Sequence, residues 1–371
     1  MYNQFEWSDQ LWFRHSSSVS IILCMAYTIV FILGIVGNCC VVIVVVQSPR
    51  MRTVTNFFIV NLAFADILVL IFCLPATLIS NLLIPWIFGA IMCKAVAYLQ
   101  GVVVSASINT LVAVSIDRFL SICHPLRCQM TRRCARYAIV CIWLYSSVIA
   151  IPWALYFTLQ PIDPSAPDPM MLCLEQWPNE YSEKTYFIIA NLFLCYLIPL
   201  FIITSCYIAI WMKVWRRSIP GETAKPLQIE YLLQRSKLKT AKMFVVIVIV
   251  FVISWLPLYC IFAVIKLGGP IESDSIHERL LMIMAPLAQW LGASNSCYNP
   301  MLYCFFNKKY RMGFLSLLKT RKCCCGRITT SANSMRGQNV SSRSNTRATI
   351  NRITIKADTQ CEFINNSLGI M

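Results

Sequence analysis

Apolar residues gather into seven long runs: Val19–Val46, Val54–Asn81, Cys93–Ile122, Ala135–Phe157, Thr185–Lys213, Lys237–Lys266 and Glu278–Phe305. A helix of about 20 apolar residues crosses the ~30 Å hydrocarbon core of a bilayer. The pattern therefore predicts an all-α membrane protein, a seven-transmembrane helix bundle over residues 19–305. A polar group inside lipid is expensive and usually has a role, so the residues that interrupt the runs carry the functional information.

The punctuation between runs is clear. Gln47-Ser48-Pro49 ends the first, and Trp86-Ile87-Phe88-Gly89 forms the first outer loop. The outer loop Gln160–Lys184 holds Pro161, Pro164, Pro167 and Pro169, so its first half is expected to be extended or turned. The inner loop Arg216–Ser236, with Ile219-Pro220-Gly221, is short and leaves little space for a folded insertion. Residues 306–325 start with an amphipathic stretch, Lys308–Lys319, which predicts a short eighth helix in the membrane interface. Tyr310, Phe314, Leu315 and Leu318 lie on one side of it, and Lys308, Lys309, Arg311 and Lys319 on the other. Cys323, Cys324 and Cys325 follow, a juxtamembrane cluster suited to palmitoylation. Metal binding is the competing reading, but no His or second Cys pair follows. Residues 326–371 are Ser/Thr/Asn/Arg-rich, a composition expected to be disordered. No repeat recurs at a fixed period.

Composition agrees with the pattern. The 371 residues are 58% hydrophobic and 13% charged, about half the charge of a soluble domain. No second large domain fits. The tail, residues 1–18, carries Phe5, Trp7, Trp12 and Phe13 among charges rather than a signal-peptide core, so the first helix acts as its own insertion signal. The tail has no Asn-x-Ser/Thr sequon, and those at Asn339 and Asn365 fall in the inner tail. A truncated or shorter form is the expected reason.

The net charge of +16 raises nucleic-acid binding, but its distribution argues against that. Arg50 and Arg52, then Arg127, Arg132, Arg133 and Arg136, then Lys213 through Lys242, then Lys308 through Arg327 fall in alternate loops. That is the positive-inside bias, with the N-terminus outside and the C-terminus inside. Attraction to anionic lipid is a second role for these cations. Glu6, Asp9, Asp163, Asp168, Glu175, Glu180, Glu183, Glu272, Asp274 and Glu278 fall outside. They would form an acidic vestibule that concentrates a cationic ligand, or they mark outer loops that merely avoid Lys and Arg. Of 19 cysteines, only Cys93 and Cys173 fall at outer positions, where oxidising conditions favour a disulfide between them.

Within the runs, Asp66 needs partners, and Asn38, Ser107, Asn295 and Asn299 are the candidates. Carboxylate, hydroxyl and amide oxygens together suit Na⁺; a hydrogen-bonded polar core without an ion is the alternative. Cys93 and Asp117 are 24 residues apart, about 36 Å of helix. If Cys93 is outside, Asp117 and Arg118 sit at the inner surface, where they can pair or where Arg118 is a simple interfacial cation. Pro152, Pro199, Pro257 and Pro300 permit kinks. Phe251 and Trp255 precede Pro257, while Asn299, Pro300 and Tyr303 end the last run.

This ordered set resembles the rhodopsin-like (class A) G-protein-coupled receptors over about residues 19–325. The marks are Gly37-Asn38, Leu62–Asp66, Trp86, Cys93 with Cys173, Asp117-Arg118, Trp143, Pro199 with Tyr207, Phe251–Pro257 and Asn299–Tyr303. The resemblance implies a plasma-membrane signal transducer whose partners are a heterotrimeric G protein, arrestin and receptor kinases. It implies a sodium pocket at Asp66, Ser107, Asn295 and Asn299, with Na⁺ the only group resembling a cofactor. Trp255 is implied as a switch below the ligand, and Ile108, Pro199 and Phe251 as a repacking triad. Arg118, Tyr207 and Tyr303 are implied to rearrange on G-protein docking.

Gln100 stands where amine receptors carry an Asp, and a neutral amide cannot pair an ammonium. Together with Arg50–Asn56, Cys173–Trp177 and Arg217–Glu222, it makes the chain similar to SIFamide and neuropeptide FF receptors, and the last stretch resembles the SIFamide branch. That implies a short, C-terminally amidated neuropeptide touching Gln100, Glu175, Asn191, Tyr259, Phe262 and Gln289. The alternative is an orphan receptor of this class for another peptide family or a non-peptide ligand. Three departures stand out. Phe119 replaces the usual Tyr. Lys237 replaces an acid facing Arg118, so two cations are expected to repel, weaken the inactive lock and permit ligand-free signalling. Lys266 stands near where Arg-Phe-amide receptors place an acid, which shifts any cation contact toward Glu175, Glu180 or Glu183. A transporter would show repeat symmetry and paired broken helices, and His15, His124 and His277 are too few and scattered for an enzyme's metal or nucleophile site.

Overall fold

The computed structural model describes residues 12–125, 129–167, 169–216, 225–268 and 275–319. Its long helices are α1 Ser17–Gln47, α2 Val54–Leu82, α3 Gly89–Cys123 and α4 Arg132–Tyr156. They continue as α5 Glu180–Trp215, α6 Lys225–Leu267 and α7 Ile276–Phe306, with the short α8 Lys308–Lys319 after them. The first six are long and apolar enough to cross a membrane. Helix α7 is 31 residues long but less apolar. Its Ser294, Asn295, Ser296 and Asn299 are all buried, so its polar side turns into the bundle.

Two helices depart from regular winding, and proline explains both. The ring of Pro75 or Pro199 removes an amide and crowds the carbonyl four residues earlier. Winding to π geometry relieves that conflict. The π segments Val69–Cys73 and Phe187–Leu197 end just before these prolines. Helix α6 starts at Lys225, so much of the stretch expected to be a short loop is helical.

Helix α4 buries only Ala135, Ser146 and Ala150 and exposes Val140, Leu144, Val148, Ile151 and Leu155. An apolar stripe of that length suits lipid. Polar ties hold α4 to its neighbours. Trp143 Nε1 donates to Asn61 Oδ1 at 2.9 Å, Asn61 Nδ2 to Thr110 Oγ1 at 2.8 Å, and Ser146 Oγ to Ser105 Oγ at 3.0 Å. At Gly101 any Cβ would collide with the Trp153 ring, so glycine permits this close approach of α3 and α4.

The bundle is not purely helical. β1 Phe157–Pro161 and β2 Met171–Glu175 pair antiparallel, with Phe157 opposite Glu175 and Pro161 opposite Met171. Cys173 of β2 forms a disulfide with Cys93 of α3. Trp86 N donates to Met171 O at 2.7 Å, and Ile84 N to Trp12 O at 2.9 Å. These bonds knit the hairpin, the α2–α3 loop and the entering chain together at one end.

At the other end Tyr310 and Phe314 of α8 pack into the main core cluster with Val44 and Tyr303. Leu317 joins them, while Leu315, expected on this side, is exposed. A helical position one step off the seam turns away from the core. Several expectations lie outside the described residues: Cys323, Cys324 and Cys325, the tail after them, Asp168, Glu272, Asp274, Arg127 and the Ile219–Gly221 turn. The side chains of Leu318 and Lys319 lie outside them too.

Asn61 joins three helices from within the apolar layer. Asn61→Ala is expected to cost about 1–2 kcal/mol, read as a lower melting temperature of detergent-solubilised receptor. An unchanged melting temperature would contradict the network's role.

Candidate functional site

A cavity of about 480 Å³ lies between the helices and the hairpin. Gln100 of α3, Glu175 of β2, Asn191 of α5, Tyr259 and Phe262 of α6, and Gln289 of α7 all line it. So does Trp255, eleven residues before Lys266 on α6, a drop of about 16 Å along the helix. Gln289 Oε1 accepts from Asn81 Nδ2 at 2.8 Å, and Asn81 Nδ2 also reaches the buried Tyr27 hydroxyl at 3.1 Å. The Gln289 side chain is thus oriented from α2. Tyr259 packs against Tyr196 with ring centroids 4.5 Å apart.

Sequence reasoning missed how the charges at this end are arranged. Glu175, Glu180 and Glu183 were expected to be open to a cationic ligand, but each has a protein cation. Lys266 Nζ donates to Glu175 Oε2 at 2.6 Å and also to Glu183. Lys184 pairs with Glu180 at 2.6 Å, one turn along the same helix. Arg14 also lines the cavity, donating from Nε to Leu83 O at 2.8 Å. Burial holds its guanidinium below the ordinary arginine value. The pairing of Lys266 had no local sequence signal, because its partners are 83 and 91 residues away.

Deeper in the bundle, Asp66 is buried and accepts from Asn299 Nδ2 at 2.9 Å. Ser296, which the sequence reading did not single out, is buried near the same carboxylate. Asn38 Nδ2 donates to the Ser296 and Gly34 carbonyls at 2.8 and 2.9 Å. Its Oδ1 is a buried acceptor without a partner. Ser107 and Asn295 make no hydrogen bond to Asp66 among the described residues. Ile108 and Phe251 belong to one core cluster, and Phe251 lies 6.1 Å from Trp255, ring to ring. Pro199 is buried, as is Pro300, while Pro257 is half-buried inside α6. At Gly37 a Cβ would come within 2.8 Å of Pro300, so α1 meets the proline of α7 at close range.

At the α8 end Arg118 pairs with Asp117, and both side chains bond Thr55 of α2. Tyr207 sits near Arg118 and Ser115. The Tyr303 hydroxyl is buried without a hydrogen-bond partner, its ring 5.6 Å from Tyr310. Lys237 has an acceptor of its own. Its Nζ donates to the Ser121 carbonyl at 3.1 Å. The last carbonyls of a helix lack intrahelical donors and attract cations. The end of α3 therefore gives Lys237 a favourable anchor, and the two cations have separate partners.

The profile of the family described as 7 transmembrane receptor (rhodopsin family) matches residues 37–303. The chain belongs to that family. It is 36% identical to neuropeptide FF receptor 1 of Rattus norvegicus over 324 residues, covering 84% of this chain and 73% of the relative. It is 34% identical to the RYamide receptor of Drosophila melanogaster over 325 residues, covering 86% and 68%. It is 33% identical to neuropeptide FF receptor 2 of Mus musculus over 312 residues, covering 82% and 74%.

The Lys237 contact closes α6 onto α3. Lys237→Ala is therefore expected to raise ligand-free signalling about two- to threefold, the effect of losing roughly 0.5 kcal/mol. Mutual repulsion of Lys237 and Arg118 predicts a fall instead, so the sign of the change decides.

Proposed function

We propose that this chain is a plasma-membrane receptor for a short, C-terminally amidated neuropeptide, coupled to a heterotrimeric G protein. The observation that carries this reading is the convergence of Gln100, Glu175, Asn191, Tyr259, Phe262 and Gln289, from five elements, on one cavity. The names of the relatives, receptors for neuropeptide FF and RYamide, support the ligand class. The positive-inside bias supports an outer N-terminus and an inner C-terminus, with the hairpin end outside.

Peptide binding shifts the population of helix arrangements only as far as its affinities for them differ. Trp255 reaches the cavity, and its indole N–H is buried without a partner. It couples ligand contact through Phe251 to the part of α6 that Pro257 weakens. Movement of α6 breaks the Lys237 contact, frees Arg118 from Asp117 and Thr55, and opens a cleft toward Tyr207 and Tyr303. A G protein enters there, and arrestin and receptor kinases act on the same face. Palmitoylation of Cys323, Cys324 or Cys325 would hold α8 to the bilayer.

The carboxylate, hydroxyl and amide oxygens of the proposed pocket at Asp66, Ser107, Asn295 and Asn299 suit a small hard cation, and the unpartnered Oδ1 of Asn38 is a further buried acceptor. Na⁺ there would neutralise the carboxylate and hold α2 to α3 and α7.

A panel of amidated neuropeptides, including SIFamide-, RYamide- and neuropeptide FF-type sequences, is expected to contain an agonist in a G-protein assay. Gln100→Ala or Glu175→Ala should raise its half-maximal concentration about tenfold or more. Potency unchanged in both variants would remove the proposed contacts. NaCl, compared with choline chloride at equal ionic strength, should raise the melting temperature of the wild type but not of Asp66→Asn. Equal effects on both would dismiss the ion.

A further inference from the structure

We infer that Lys266 is a built-in occupant of the ligand's cation site, held there by Glu175 and Glu183 until a guanidinium of the peptide displaces it. This rests on the peptide-receptor reading above. The three residues come from the end of α6, the end of β2 and the first turn of α5. All three line the cavity. Their side chains keep exposures of 13% for Lys266, 20% for Glu175 and 30% for Glu183, so the cluster borders water rather than being sealed. Trp177 Nε1 donates to the same Glu175 oxygen at 2.8 Å and fixes the orientation of that carboxylate.

Two carboxylates this close repel unless a cation stands between them. Lys266 supplies one, and leaves the cluster with a net charge of −1. An ammonium has three donors around a point charge. A guanidinium has five in a planar fork, pairs bidentately with carboxylates and is more weakly hydrated. The site therefore fits an arginine side chain better than the lysine it holds. Lys266 is one residue from the end of α6, where its flexible stem can carry the ammonium out into water. One cation enters as another leaves, so the charge of the site is unchanged by binding.

Two consequences follow from that exchange. The receptor binds a cationic peptide less tightly than its two glutamates would allow, because Lys266 must first be displaced. The displacement also cuts the tie from α6 to β2 and α5, which a neutral ligand leaves intact.

The test uses pairs of amidated peptides that differ only by arginine or its neutral isostere citrulline, on full-length receptor matched for surface expression. Lys266→Met is expected to lower the half-maximal concentration of the arginine peptide about tenfold and that of the citrulline peptide less than twofold. Lys266→Arg, a tighter internal occupant, should shift the arginine peptide the other way. Glu183→Gln should weaken the arginine peptide alone. An arginine peptide weakened by Lys266→Met, or both peptides shifted equally, overturns the inference. A ligand-independent arm uses L-arginine amide against L-citrulline amide as stabilisers of purified receptor. Arginine amide should raise the melting temperature of Lys266→Met at lower concentration than it does the wild type, and equal responses overturn the inference. Wild-type silence to every amidated peptide would sink the neuropeptide reading instead, leaving the fragment arm to decide the role of Lys266.

Discussion

Lipid offers no hydrogen bonds, and that shortage organises the interior of this bundle. A polar side chain between the helices must find its partner on another helix or leave a charge or dipole unpaired in an apolar layer. Asn61 answers with Trp143 and Thr110, Asn81 with Tyr27 and Gln289, and Asp66 with Asn299. Each tie fixes the rotation of at least two helices about their axes. The apolar stripes alone could slide or turn against one another, whereas these bonds have direction. Among the buried polar atoms without a partner, Trp255 Nε1 and the Tyr207 and Tyr303 hydroxyls lie where the helices are proposed to rearrange.

The two ends of the molecule solve different problems. At the hairpin end a disulfide and main-chain hydrogen bonds from three loops join the elements, with the Lys266 ion pairs to Glu175 and Glu183 beside them. At the α8 end side chains do the joining: Arg118 to Asp117 and Thr55, and Lys237 to a carbonyl at the end of α3. The disulfide and main-chain bonds keep the shape of the rim, while the side-chain pairs at either end are contacts that can be exchanged.

The helices, their order and the Cys93–Cys173 bridge were legible in the sequence because each depends on local composition or on a rare residue in a special place. The six residues that the resemblance implied as ligand contacts line one cavity, five of them from helices and Glu175 from β2. Pairings across long sequence distances were not legible. Lys237 was read as facing Arg118, and nothing local in the sequence showed that the Ser121 carbonyl, 116 residues away, accepts from it. Lys266 looked like an unpaired cation beside free acids until folding brought Glu175 and Glu183 onto it. Leu315 shows the limit of face assignment on a short helix, where one residue's shift separates core from lipid.

The loosened winding of α5 affects the shape of the cavity. In an α-helix, residues four apart drift about 40° round the axis at each step, and after three steps the last points well away from the first. Glu183, Phe187, Asn191 and Cys195 are spaced by four, yet all four line the cavity. A wider turn between 187 and 197 offsets the drift, so α5 presents a straight-ruled wall rather than a spiral one. A ligand lying along that wall meets a charge at its outer end, then an aromatic ring, an amide and a thiol in sequence, as along a ruler.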